Sequence, residues 1–219
     1  MLICSIAASG AWNSISPAVP FRVVAGIVVP EERMAMIAAR LDAIAAGADP
    51  EARSVAWMTA LVRDGSVRAV AGIADTLALH PPPGEPAGAD PEALALFGLT
   101  GRFQDLLEAS SRQAGLLRGI VIAADRGPGD PAVAAAAGMG GPRRYRNILG
   151  GVLRELGATP LTDAAGMLAD LLAERAAGRG VDAFEAVAPL FRGEDGDAGR
   201  GIACMPARGW SGPEIGVFS

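Results

Sequence analysis

Apolar positions dominate this chain and fall into blocks separated by Gly- and Pro-rich punctuation. Most blocks show helical spacing. After Pro30, acidic Glu31 and Glu32 lead an Ala-rich body to Ala46, with Gly47 following. Acid at the start suits the helix dipole and Gly suits a C-cap, so a helix is predicted. Val55, Met58, Leu61 and Val62 form one stripe, Asp64-Gly65-Ser66 a turn, and Val67, Val70, Ile73, Ala74 and Leu77 a second stripe. That pattern predicts a helical hairpin. Leu94, Phe97 and Leu99 predict a short helix broken at Thr100-Gly101; Phe103, Leu106, Leu107, Ser110 and Ala114 continue the stripe. The most regular block places Tyr145, Ile148, Leu149, Val152, Leu153 and Leu156 on one helical face, ended by Gly157. Further helices are predicted over about 162–177 and 182–191, with Pro189 kinking or ending the second. Two blocks read either way: Phe21 to Val29 is a buried strand or a short helix, and 116–125 extends the preceding helix or forms a strand.

Asp-Pro recurs at Asp49-Pro50, Asp90-Pro91 and Asp130-Pro131, 41 and 40 residues apart. Asp is a strong N-cap and Pro suits the first helical position, so each pair predicts a helix start. Recurrence near this period marks helical hairpins that stack on one another. The run 49–61 resembles the first helix of a HEAT-type repeat, and 95–109 resembles the interior of a tetratricopeptide-type hairpin. The resemblance covers roughly 49–160. It implies a binding or scaffolding role, in which a groove takes a protein or peptide without catalysis. The expected fold is therefore all-α: antiparallel helical hairpins stacked as a short irregular α-solenoid or α-α bundle. Residues 1–192 form the helical-repeat-like domain and 193–219 a Gly-rich C-terminal tail, with Asp195-Gly196-Asp197 solvated rather than calcium-binding.

Composition narrows the function classes. The formal net charge of −5 argues against general nucleic-acid binding. All basic residues are Arg, which with the Ala, Gly and Pro load reads as the codon bias of a GC-rich bacterial genome. No apolar run is long enough to span a bilayer. Residues 2–8 are apolar and precede a small-residue stretch, yet no basic residue stands before Arg22. A cytoplasmic start is the expectation, and export with cleavage after Ala11 the alternative. His80 sits beside three prolines, Cys4 and Cys204 lie far apart, and no ligand spacing suggests a metal or cofactor. Whether the two cysteines pair stays open.

Arg143, Arg144 and Arg146, with Tyr145 among them, form the densest basic group. They are the expected binding residues, facing an acidic protein or peptide partner or a second copy of the chain. The alternative is a small α/β or α-helical enzyme with a site around Asp125 and the Gly138–Arg146 segment. Were 116–124 a strand, Asp125 would stand at its carboxyl mouth like an α/β catalytic carboxylate.

Overall fold

The computed structural model describes residues 1–9, 20–76, 90–124, 147–155, 159–192, 201–205, 210–213, 215 and 217–218. Its centre is a sheet of β1 (Leu2–Ala8), β2 (Phe21–Pro30), β3 (Arg68–Asp75), β4 (Gly119–Ala124), β5 (Ile148–Glu155), β6 (Ile202–Met205) and β7 (Val217–Phe218). The spatial order is β5-β4-β1-β2-β3-β6-β7. β2 runs antiparallel to both neighbours, β1 and β3, and every other pairing is parallel. The helices are α1 (Glu31–Gly47), α2 (Pro50–Arg63), α3 (Pro91–Ala114), α4 (Pro160–Ala176) and α5 (Val181–Val187), the last followed by a 3₁₀ turn over Ala188–Phe191.

Alternate residues of the strands feed two cores. Ile3, Val23, Ile27 and Ile73 pack with Ile37 and Leu41 of α1, Trp57 and Leu61 of α2, and Leu168 and Leu172 of α4. On the other face Cys4, Ile6, Val24, Val28, Val70 and Val121 pack with Leu96, Leu99, Phe103 and Leu107 of α3. Glycines set how closely α3 approaches. A Cβ on Gly72 would lie 1.7 Å from the Ala95 carbonyl oxygen, and one on Gly119 would meet the Phe103 ring at 2.5 Å.

The fold is thus mixed α/β, which overturns the expected all-α solenoid and its likeness to HEAT and tetratricopeptide repeats. The predicted second helix of the first hairpin is β3, the 116–125 block contains β4, and the most regular predicted helix is largely β5. For β3 and β4 the physical reason is the same. A strand covered on both faces is apolar at nearly every position, so a subset of its residues always matches a helical period. Gly150-Gly151 inside β5 and the β-branched content of β3 and β4 favour the extended form.

Two of the three Asp-Pro pairs do start helices. Asp49 Oδ1 accepts from the Ala52 amide at 2.7 Å, and Asp90 Oδ1 from the Glu92 amide at 3.0 Å. Yet α2 and α3 pack on opposite faces of the sheet, so these helices are not equivalent members of a stack. Asp130 lies outside the described residues. Thr100-Gly101 does not interrupt α3; the Thr100 hydroxyl donates back to the Leu96 carbonyl at 2.9 Å and the helix continues. Burial of Leu96, Leu99, Phe103 and Leu107 outweighs the roughly 1 kcal/mol that a glycine costs a helix. Phe21–Pro30 resolves as a strand, and the apolar residues 2–8 are an interior strand between β4 and β2. The Gly-rich segment beginning at Gly193 supplies β6 and β7.

Candidate functional site

Because β1, β3, β4, β5 and β6 point the same way, their carboxyl ends share one edge of the sheet. β2 begins there, since Phe21 pairs with Asp75. In open α/β sheets ligands bind outside the carboxyl ends of the strands, where the chain departs to either face. Here α3 takes the connection from β3 to one face, and α4 takes the connection from β5 to the other.

Three described side chains at this edge, those of Ser9, Asp75 and Thr76, are polar and buried. Asp75, the last residue of β3, is fully buried. Its Oδ2 accepts from the Ser211 amide at 2.9 Å and from the Ser211 hydroxyl at 2.5 Å. The next residue, Thr76, directs both its amide (2.7 Å) and its hydroxyl (2.6 Å) to the Pro20 carbonyl, closing the β2–β3 end. Ser9, just past β1, donates its amide to the Val23 carbonyl at 3.0 Å and is itself buried.

Trp210 lies on Phe21, ring centroids 5.1 Å apart and planes inclined by 43°, and its indole N–H donates to the Pro213 carbonyl at 3.1 Å. A Cβ on Gly212 would sit 2.8 Å from the Trp210 ring and 3.0 Å from Phe21, so only glycine lets the turn fold this tightly. Ile215 then enters the core. Residues 210–213 and 215 are thereby anchored across the edge by one buried carboxylate, one aromatic pair and one apolar side chain.

The residues expected from sequence distribute differently. Arg143, Arg144, Tyr145, Arg146, Asp125, His80, the Gly138–Gly141 glycines and Asp195-Gly196-Asp197 all lie outside the described residues. Their described neighbours are informative. Ala124, which Asp125 follows, ends β4 at the carboxyl edge. Asn147, which follows Arg146, is buried at the opposite end of β4: its carbonyl accepts from the Gly119 amide at 2.9 Å, its amide donates to Gln104 Oε1 at 3.2 Å, and its Nδ2 donates to the Leu117 carbonyl at 3.2 Å. The two described ends are therefore a strand length apart.

Sequence reasoning missed Asp75 and Ser211. A signal for Asp75 existed: Val-Ala-Gly-Ile-Ala-Asp at 70–75 and Ile-Val-Ile-Ala-Ala-Asp at 120–125 both close an apolar run with Asp. No local signal marks Ser211, because its partner is 136 residues away.

Both cysteines are free and buried. Cys4 faces α3 and Cys204 the opposite face, with β2 and β3 between their strands, so they cannot bridge. Burial pushes the Cys4 thiol far above its ordinary range and the Cys204 thiol up to about 12, against a small opposing pull from Arg102. Neither is a ready nucleophile. Among the described residues no group of three or more His, Cys, Asp and Glu is placed to hold a metal ion, and no helix is long and apolar enough to cross a membrane. No protein-family model matches the chain, and no curated protein matches it in sequence.

Proposed function

We propose that this chain is an α/β enzyme acting on a small molecule at the carboxyl edge of its parallel strands, with Asp125 as an acid–base carboxylate. The observation that supports this reading is β4. It is an interior strand, parallel to β1 and β5, and Asp125 is the residue directly after its carboxyl end. Catalytic groups in such sheets stand at strand mouths because peptide groups and helix starts converge there while the layers below remain rigid. Asp75 and Ser211 furnish a fixed polar group on the same carboxyl edge, at the end of β3, with β1 and β2 between it and β4.

The test is a metabolite mixture added to ¹⁵N-labelled protein, with amide shifts followed over time. The expected outcome is shifts at Ser9, Asp75, Thr76 and Ser211, with turnover that Asp125→Asn abolishes while binding persists. Shifts confined to the amino edge, around Asp64 and Asn147, refute the reading. A second surface is proposed on separate grounds. Arg143, Arg144, Tyr145 and Arg146 bind an acidic partner, a reading supported by the rigid anchoring of the next residue, Asn147. Replacing Arg143 and Arg146 with Ala then weakens partner binding, more at low salt, without lowering the melting temperature.

A further inference from the structure

We propose that the outward half of α1 is a dimerisation surface, on which a second copy of the chain packs antiparallel about a two-fold axis at Met36. On α4, the other long helix of this face, the exposed residues are Asp163, Asp170 and Glu174, all charged. On α1 they include Ala35, Met36, Ala39, Ala43 and Ala46, and Met36 leaves 53% of its surface in water. Ile37 and Leu41 face the core, so α1 is apolar on its outer side as well as its inner one. Helices of that kind are ordinarily covered on both sides.

The charges on this surface select the occupant. Glu32, Met36 and Arg40 follow at four-residue spacing and are all exposed, so they form one ridge. Glu32 and Arg40 stand about 12 Å apart along the helix axis, too far to pair with each other. Among the described residues neither joins a hydrogen bond or a salt bridge, and Arg40 reaches Asp64 only through its field, less strongly than Arg33 does. A two-fold axis through Met36 lays this ridge antiparallel to its own copy. Glu32 of each protomer then meets Arg40 of the other, twice in one interface, and Met36 packs on Met36. Ala35 and Ala39, in the next row, leave a shallow groove for the partner's ridge, as in helices that cross at about −50°. A parallel arrangement would set Glu32 on Glu32 and Arg40 on Arg40. The sequence of the ridge is therefore complementary to itself in one orientation only. A single helix crossing is a small interface, so the dimer is a weak and reversible one.

The experiment measures the mass of the full-length chain by sedimentation and small-angle scattering at low salt, from about 5 µM to about 1 mM, the range of weak interfaces. The parent should pass from monomer to dimer across this range. Glu32→Arg and Arg40→Glu should each weaken dimerisation about tenfold or more, because two attractive pairs become two repulsive ones. Both substitutions together reverse the pairing without removing it, and should restore the parent affinity to within about threefold. Met36→Lys, which sets two cations on the axis, should leave only monomer. All three positions are exposed, so the variants should keep the parent's far-UV circular dichroism. A parent that stays monomeric throughout overturns the inference. A dimer indifferent to the single substitutions, or one that the double substitution fails to restore, overturns it too. None of these results bears on the carboxyl-edge reading, which concerns a different surface.

Discussion

Substituting Gly72 by Ala tests the packing on which the whole α/β architecture depends. The new Cβ would stand 1.7 Å from the Ala95 carbonyl oxygen, 2.7 Å from the Ala95 carbonyl carbon and 2.8 Å from the Leu99 nitrogen. All three are backbone atoms of α3, so no side-chain rotation relieves the clash. To reach the 3.4 Å of ordinary contact, α3 must retreat from β3 by about 1.7 Å. Leu96, Leu99, Phe103 and Leu107, all fully buried, hold α3 to the sheet. Four such side chains contribute about 6–12 kcal/mol. A gap of more than an ångström forfeits about half of close-contact attraction, so the loss is about 3 kcal/mol or more.

Urea unfolding followed by Trp fluorescence and far-UV circular dichroism, compared at a common slope, measures this. Two glycines serve as internal controls. A Cβ on Gly98 meets Ala203 Cβ at 3.0 Å, so the helix-propensity gain and the mild crowding should cancel to within about 1 kcal/mol. Nothing lies within 4 Å of a Cβ on Gly47, so Ala there should be neutral or stabilise by about 0.5 kcal/mol. A Gly72→Ala protein within about 0.5 kcal/mol of the parent refutes the helix-on-sheet contact.

Three further outcomes follow from buried polar groups. Ser5, in the interior strand β1 and facing α4, buries a hydroxyl without a hydrogen-bond partner, so Ser5→Ala should raise stability by about 1 kcal/mol in urea unfolding; a loss would mean the hydroxyl is bonded. Burial alone would raise the Asp64 carboxyl, but hydrogen bonds from Ser66 and the charges of Arg33 and Arg40 outweigh it and hold the group below its ordinary value. A depressed folded-state value means this stabilisation is present above the unfolded value of about 3.9 and is lost as pH falls through the folded one. The urea midpoint of Asp64→Asn should therefore drop less than that of the parent on acidification, and parallel curves would contradict this. A thiol reagent at pH about 8 should leave Cys4 and Cys204 untouched in the native protein and modify both in urea; native modification of either would contradict their burial.

What the sequence determined by itself was local. Asp49-Pro50 and Asp90-Pro91 start helices because the cap and the fixed proline dihedral act within one turn. Helix α1 opens at Glu31 and closes at Gly47 nearly as read, and Pro189 ends α5 in favour of a 3₁₀ turn. Only the tertiary structure decided that residues 68–75, 119–124 and 148–155 are strands. Residues 68–75 and 119–124 are apolar at most positions because helices and neighbouring strands cover them, and an apolar run carries no period of its own until its neighbours are known. Alanine deepened the ambiguity: its high helix propensity marks helices in a single sequence, whereas Ala25, Ala69, Ala71 and Ala123 here let helices pack closely on a sheet. The same division holds at the site. Asp125 stands out as a candidate because a carboxylate ending an apolar run is a local pattern. Asp75 and Ser211 meet only when the parallel sheet brings the end of β3 under the C-terminal segment, across 136 residues of chain.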